Sequence, residues 1–529
     1  MTTNIPQTAH NDVITPLLTD HYQITMCYSY FSNNRHNQEA AFEMFFRKCP
    51  FQGQYAIFAG LHEVLSFIAH FKIPKEHIEY LKTQLPNDKP EFFEWLQNLD
   101  CSKIKLFAME EGSIVFPREP LIRLQGPIGI LQLLETPLLN IINFATLLAT
   151  NAARMKQEAG EKAVLLEFGL RRAQGPDGGL MASQYAYLGG FHGTSNVLAG
   201  YKFGIPISGT MAHSFVTSYN SLEQIKEFEI NGVQIKQTAL EYRNELGYDH
   251  SNESELAAFL DYARTMPNNF LALVDTYDTL HSGVPNFLVV SLALIKAGIQ
   301  PKGIRLDSGD LAKLSLETRK LFDFVGQKYQ LPQVKNFKIA ASNDINEDSL
   351  KELNKKGHSI DVFGIGTNLV TCQKQPALGG VYKLIDLEGV PKHKLSQESE
   401  KSTLPGKKTI YRVWNNGDPH PSADIIAKED EVIKVGQSIT AVNINNGNER
   451  FNIKVSRVEQ ISLLFWNEGK LEVPYRSLLE LREYSEKQKQ IFNKSILTDK
   501  AKYPVLASLQ YYKFFQECNE KIVVSKPFQ

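Results

Sequence analysis

Cysteine is scarce in this 529-residue chain. The five cysteines (Cys27, Cys49, Cys101, Cys372 and Cys518) are widely spaced and odd in number, with no CxxC pair and no Cys/His cluster. That excludes a disulfide framework and a structural zinc site, and it fits a reducing compartment, the cytosol. Charge of one sign is also missing. Lys and Arg number 57 against 58 Asp and Glu, which argues against a general nucleic-acid or membrane binder. A small anionic ligand stays open, because a pocket needs only a few local cations. The first residues, MTTNIPQTAHND, have neither a basic n-region nor an apolar h-region, so no signal peptide is expected. The longest apolar stretch, 128–150, is interrupted by Glu135, Pro137, Asn140 and Asn143, and reads as a buried helix rather than a membrane span. No internal repeat or low-complexity segment is present.

What is present falls into three textures. After a loose tail at residues 1–11, residues 12–150 mix helical and strand-like runs, an α+β pattern. From about 151 to 375 short apolar runs alternate with helical segments. The runs are Val164–Phe168, 204–208, Phe270–Asp275, Gly303–Asp307, Phe337–Ser342 and Asp361–Ile365. Such alternation predicts a parallel sheet, open or closed into a barrel. Residues 376–529 read as strands with Gly/Asn turns, a mobile loop over Ser396–Lys408 and amphipathic terminal helices, packing back on the first two regions.

The polar residues of the middle region gather where its strands end. The run at 204–208 leads into Gly209-Thr210-Met-Ala-His213. Asp275 closes LALVD. Arg305 and Asp307 occupy alternate positions of IRLD and so share a face, with Ser308-Gly309-Asp310 next. Ser342-Asn343-Asp344 closes the following strand and is expected to cap the helix after it, and Gly364-Ile-Gly366-Thr367 closes the last. Each alone is ordinary loop chemistry. Five successive strand ends of this kind describe the functional face of one parallel α/β barrel. Glycines beside hydroxyls at helix starts suit phosphate. Asp275 and Asp307 suit sugar hydroxyls or a Mg²⁺ carried by a phosphorylated ligand. Arg305 offers a fork for carboxylate or diphosphate. Phe168 and Tyr22 can stack a flat ring, and Arg47, at the end of the strand-like AAFEMFF, suits a phosphate. Together these describe a phosphoribosyl donor and a heteroaromatic acceptor.

The motifs LLTDHYQITM (17–26), FFRKCPF (45–51), EFGLRRAQGPDGG (167–179), GGFHGTSN (189–196), GTMAHSFV (209–216), LVDTYDT (273–279), IRLDSGDL (304–311), SNDINE (342–347), FGIGTNLVTC (363–372) and LPGKK (404–408) follow one another in order. In this the chain resembles the nicotinate phosphoribosyltransferases along nearly its whole length. The resemblance implies an irregular α/β barrel of the type II phosphoribosyltransferase kind, an N-terminal α+β domain and a C-terminal extension of strands and helices. It implies that nicotinate, phosphoribosyl diphosphate and ATP give nicotinate mononucleotide, diphosphate, ADP and phosphate, the first step of NAD synthesis from nicotinate. ATP is the co-substrate and Mg²⁺ (or Mn²⁺) the cofactor.

The same resemblance implies that His213 becomes phosphohistidine, with Asp275 and Asp307 beside the reacting sugar. Tyr22, Phe168, Arg171, Ser195, Thr210 and Arg305 would bind nicotinate. Arg47, Ser308, Gly309, Ser342, Asn343, Gly364, Gly366 and Thr367 would bind phosphoribosyl diphosphate. A metal would be carried by the substrate, with Asp275 a possible ligand. The family forms homodimers with shared sites, and Tyr22 and Arg47 look like the residues lent by the partner. The nearest alternative, the nicotinamide-using relative, carries an aspartate where Ser195 stands here. A hydroxyl donates to a carboxylate, which an aspartate would repel.

Overall fold

The computed structural model describes residues 13–86, 89–394 and 403–522. The expected tail at 1–11, and the part of the expected loop from 396 to 402, lie outside these residues. The chain divides into two units. One comprises residues up to 151 together with those from 374 onward, and the other runs from 152 to 373.

The second unit is built on six parallel strands: β1 (Val164–Glu167), β2 (Gly193–Thr194), β3 (Leu271–Leu273), β4 (Gly303–Leu306), β5 (Lys338–Ala341) and β6 (Val362–Ile365). Their order across the sheet is β3-β4-β5-β6-β1-β2, and every pair is parallel. The strands are short apolar runs buried on both faces, as a helix-covered parallel sheet requires. Helices Val284–Lys296, Leu311–Lys328 and Glu347–Lys356 carry the chain between the later strands. The first of these is buried along most of its length.

One expected strand is not there. Residues 204–208 make only a single bridge, Ile207 to Thr194. Pro206 has no N–H to donate to a ladder, and its carbonyl alone is used, accepting from Thr194 N at 3.0 Å. Ile207 is exposed rather than buried. The barrel is accordingly irregular: among the described residues its hydrogen bonding runs from β3 to this bridge without closing.

The first unit contains a seven-stranded antiparallel sheet that interleaves both ends of the sequence. Its order is Val390–Pro391, Val381–Leu387, Glu39–Phe45, Ile122–Pro127, Lys105–Ala108, Leu463–Asn467 and Lys470–Leu471. Residues after 374 therefore share a sheet with the N-terminal segment. They also form a closed five-stranded barrel of their own, from Lys408–Asn415, Ala423–Lys428, Val505–Ser508, Ser438–Asn443 and Asn446–Gln460. Val413, Ile425, Ala441, Val455 and Leu506 belong to its core cluster. The long apolar stretch at 128–150 spans two helices, Ile128–Leu133 and Glu135–Ala159, with Pro137 in the first turn of the second.

One N-cap residue makes no cap bond, and one capping expectation shifts by a few residues. Asp20 occupies the N-cap of helix His21–Ser32 but makes no cap bond; its carboxylate accepts from Thr136 Oγ1 at 2.8 Å instead. The helix after β5 is capped by Asn346 in a capping box with Ser349, not by Ser342-Asn343-Asp344. That frees the latter three residues to face a cavity.

Candidate active site

At the carboxyl ends of the parallel strands lies a cavity of about 460 Å³. Its walls include Phe168, Arg171, Ser195, Thr210, Arg305, Asp307, Ser342, Asn343, Gly364, Gly366 and Thr367. Eleven of the residues singled out from the sequence thus meet in one place, because parallel strands deliver all their carboxyl ends to the same side.

Phe168 follows β1 directly, and its N–H donates to Ile365 O at 2.8 Å, which fixes the ring beside β6. A Cβ on Gly364 would lie 2.5 Å from Cδ2 of that ring, so a glycine is required for the ring to lie there. Behind Phe168 sits the buried carboxylate of Glu167. It accepts from Ser183 Oγ at 2.9 Å and Thr194 Oγ1 at 2.6 Å, and also from Gly169 N. This network ties the 168–172 turn to the 194–196 segment and places Ser195 on the cavity wall. Arg171 and Arg172 stand exposed on that turn.

Arg305 and Asp307 share a face of β4, as their spacing predicts. The guanidinium donates to Thr210 Oγ1 at 2.7 Å and lies 3.6 Å from Asp307 Oδ2. Its Nε is buried with no hydrogen-bond partner among the described residues. A buried unpaired donor is costly unless a ligand completes it, and an anionic acceptor such as a carboxylate does so.

Asp275 is the organiser beneath. Its side chain is only 2% exposed, and Oδ2 accepts from Asp307 N at 3.0 Å and Ser308 Oγ at 2.5 Å. Its other oxygen, Oδ1, is buried without a hydrogen-bond partner among the described residues. Asp307 in turn accepts from the Ser342 hydroxyl. Next come Asn343 and Asp344 with φ of 106° and 48°. Two successive non-glycine residues in left-handed space are uncommon and mark strain held at a site.

His213 begins the short helix His213–Val216. Its Nδ1 lies 3.1 Å from Thr276 Oγ1. Its Nε2 lies 3.7 Å from Asp307 Oδ2 and 3.9 Å from Asp275 Oδ1. The imidazole is therefore held between a hydroxyl on one nitrogen and two carboxylates on the other, with 44% of its side chain open to solvent.

Not every expected residue lines this cavity. Gly309, with Asp310, lines a smaller neighbouring cavity of about 310 Å³. Tyr22 and Arg47 belong to the first unit, where Tyr22 OH donates to Glu135 Oε1 at 3.4 Å. Other residues take part without having been given a site role: Glu167 as network hub, Thr276 on the imidazole, and Leu170, Arg172, Met211 and Asp344 on the wall. All lie inside or beside the quoted motifs, but only the fold reveals which way they face.

The nicotinate phosphoribosyltransferase (NAPRTase) N-terminal domain matches residues 17–143, the family's central model matches residues 164–278, and the C-terminal domain matches residues 407–515. Over 491 residues the chain is 49% identical to nicotinate phosphoribosyltransferase of Dictyostelium discoideum, covering 90% of this chain and 83% of that one. It is 43% identical to the Homo sapiens nicotinate phosphoribosyltransferase over 486 residues, covering 89% of this chain and 90% of the other. The crystal structure of human nicotinic acid phosphoribosyltransferase superimposes with a TM-score of 0.85 at 38% identity, covering 95% of this chain and 99% of that one. A nicotinate-nucleotide pyrophosphorylase from Pyrococcus furiosus shares the fold, with a TM-score of 0.62 at 20% identity over 91% of this chain and 97% of that one. By these matches the chain belongs to the nicotinate phosphoribosyltransferase family.

Proposed function

We propose that the cavity transfers a phosphoribosyl group from phosphoribosyl diphosphate to nicotinate, releasing diphosphate and making nicotinate mononucleotide for NAD synthesis. The observation that carries this reading is the convergence, in one cavity of a family member, of an aromatic face, a buried unpaired guanidinium nitrogen and a rim of hydroxyls and glycines. The pyridine ring lies against Phe168, and its carboxylate takes the open Nε of Arg305 with the hydroxyl of Ser195. The 5′-phosphate takes the strand end at Gly364, Gly366 and Thr367, with Arg171 and Arg172 supplying positive potential. As diphosphate leaves C1, the ribose gains oxocarbenium character, and the Asp307 carboxylate offsets it. The pyridine nitrogen already carries a lone pair, so no general base is needed.

The transfer is coupled to ATP through His213. Thr276 Oγ1, 3.1 Å from Nδ1, and the two carboxylates beside Nε2 orient the ring, and its unprotonated nitrogen attacks the γ-phosphorus. An N–P bond forms, the bond to the β–γ bridging oxygen breaks, and ADP leaves; water later returns the imidazole and releases phosphate. Mg²⁺ (or Mn²⁺) arriving with the phosphates suits this donor set, since Asp275 Oδ1 is a buried oxygen with no hydrogen-bond partner among the described residues. Asp275 would be the residue to hold it, and it would supply positive charge against the leaving diphosphate.

The working enzyme is a homodimer in which Tyr22 and Arg47 serve the site of a second copy. Supporting this is an exposed apolar patch beside Ser195, formed by Val197, Leu198, Tyr201 and Ile207. The patch is continuous because Gly200 has no side chain; a Cβ there would sit 2.4 Å from Ile207 Cγ2.

Product analysis tests the whole reading. Nicotinate and nicotinamide are offered side by side with phosphoribosyl diphosphate, with and without ATP. The expected result is nicotinate mononucleotide and diphosphate, formed faster with ATP. A mononucleotide from nicotinamide alone overturns it.

A further inference from the structure

A second cavity, of about 640 Å³, opens at the opposite, amino end of the same sheet. It is lined by Lys162, Ala163, Arg319, Lys335, Lys338 and Asp361, with the His358 ring on its wall. Ala163, Lys338 and Asp361 stand at the starts of β1, β5 and β6, whose far ends hold Phe168, Ser342, Gly364 and Thr367 of the active site. At about 3.3 Å per residue, four-residue strands separate the two cavities by roughly 13 Å. The second therefore lies outside the chemistry.

Its charge is lopsided. Arg319 is consumed in structure: NH1 donates to Lys335 O and Phe337 O, both at 2.8 Å, and NH2 to Asp361 Oδ2 at 2.9 Å. That pair offsets Asp361, the one carboxylate on the wall among the described residues. Lys338 Nζ stays 3.6 Å from Asp361 Oδ1. The ammonium groups of Lys162 and Lys335 have no anionic partner among the described residues. Three cations are left around one concave space in a chain whose net charge is −1. Such a site focuses positive potential and draws small polyanions. His358 adds a flat, uncharged wall. Its Nδ1 accepts from Ile360 N at 3.0 Å, which puts the proton on Nε2, 3.2 Å from Asn354 Oδ1.

We propose that this cavity is a second anion site, one that takes a small polyphosphate-bearing compound on Lys162, Lys335 and Lys338. The recognition is electrostatic and its affinity falls as salt rises.

The test is calorimetric titration of inorganic tripolyphosphate into the full-length enzyme, its active cavity saturated with nicotinate mononucleotide. The comparison is the exposed double variant K335E/K338E, with Lys335→Gln/Lys338→Gln as a milder second version. Neither residue belongs to the catalytic machinery, so unchanged basal turnover reports an intact fold. One equivalent per wild-type chain is expected, weakened at least about tenfold in the charge-reversed variant and less in the neutral one. No binding to the wild type, or equal affinity in wild type and K335E/K338E, overturns the proposal.

Discussion

The imidazole Nε2 of His213 lies 3.7 Å from Oδ2 of Asp307, the carboxylate that also stands 3.6 Å from the Arg305 guanidinium. One carboxylate thus borders both the histidine proposed to accept the phosphoryl group and the guanidinium proposed to bind the acid ring. In the proposed reaction its charge beside Nε2 helps to orient the imidazole, the part an orienting group plays next to a nucleophile.

From this follows a graded effect on phosphoenzyme formation. With ATP labelled at the γ-phosphate, His213→Asn gives no acid-labile protein-bound label. Thr276→Val removes the single neutral contact to Nδ1, at 3.1 Å. That should slow labelling by about fivefold to tenfold, the worth of about 1 kcal/mol. Label persisting in His213→Asn would remove the histidine from the mechanism. Equal rates in Thr276→Val would remove Thr276.

Ser195→Asp tests acid recognition. Ser195 sits on the cavity wall, its N–H donating to Glu167 O at 2.9 Å. A carboxylate there confronts the carboxylate of nicotinate. The KM for nicotinate should rise at least about tenfold, some 1.4 kcal/mol of repulsion, while the KM for phosphoribosyl diphosphate moves little. Unchanged nicotinate kinetics would place the acid elsewhere.

Gly364→Ala tests the aromatic wall. The added methyl would lie 2.5 Å from Phe168 Cδ2 and 2.7 Å from Cε2, too close to coexist. Either the ring or the strand moves, at about 1–3 kcal/mol of overpacking. Nicotinate affinity should fall about tenfold or more, with the Tm lowered by a few degrees. Normal affinity at a lowered Tm would show that Phe168 does not carry the ring.

The gathering of the candidate site was largely legible in the sequence because its residues are local to strand ends. Asp275, Arg305, Ser342 and Gly364 each follow or close an apolar run, and parallel topology does the rest. What the pattern hid depended on contacts between distant segments. Thr276 is one residue past Asp275, yet only the fold turns it onto His213. Residues 204–208 are apolar enough to read as a strand, but Pro206 and a single bridge leave them at the sheet's edge. No local signal tells that residues after 374 complete an N-terminal sheet, since pairing across more than 300 residues leaves no trace in periodicity. The lysines of the second cavity are dispersed from 162 to 338 and form no run.

Glu255 supplies a pH-dependent prediction away from the reacting atoms. It is fully buried on helix Glu253–Thr265; Oε2 accepts from Ser282 Oγ at 2.5 Å and Asn286 Nδ2 at 3.0 Å, and Oε1 has no hydrogen-bond partner among the described residues. Burial is the largest cause that pushes its carboxyl up, to about 7 from an ordinary 4.5, and the negative charge of Asp275 adds to it. Below 4.5 the acid is protonated in both folded and unfolded chains and costs nothing. Between 4.5 and about 7 the unfolded chain ionises while the folded one keeps its proton, so stability falls as pH rises. Above about 7 the loss levels off at about 3 kcal/mol. Glu255→Gln keeps an oxygen for Ser282 and cannot ionise. Wild type should therefore lose stability relative to Glu255→Gln from pH 5 to pH 8, read as a growing gap in chemical-denaturation free energy. A gap of constant size across that range would mean the side chain is already ionised in the fold.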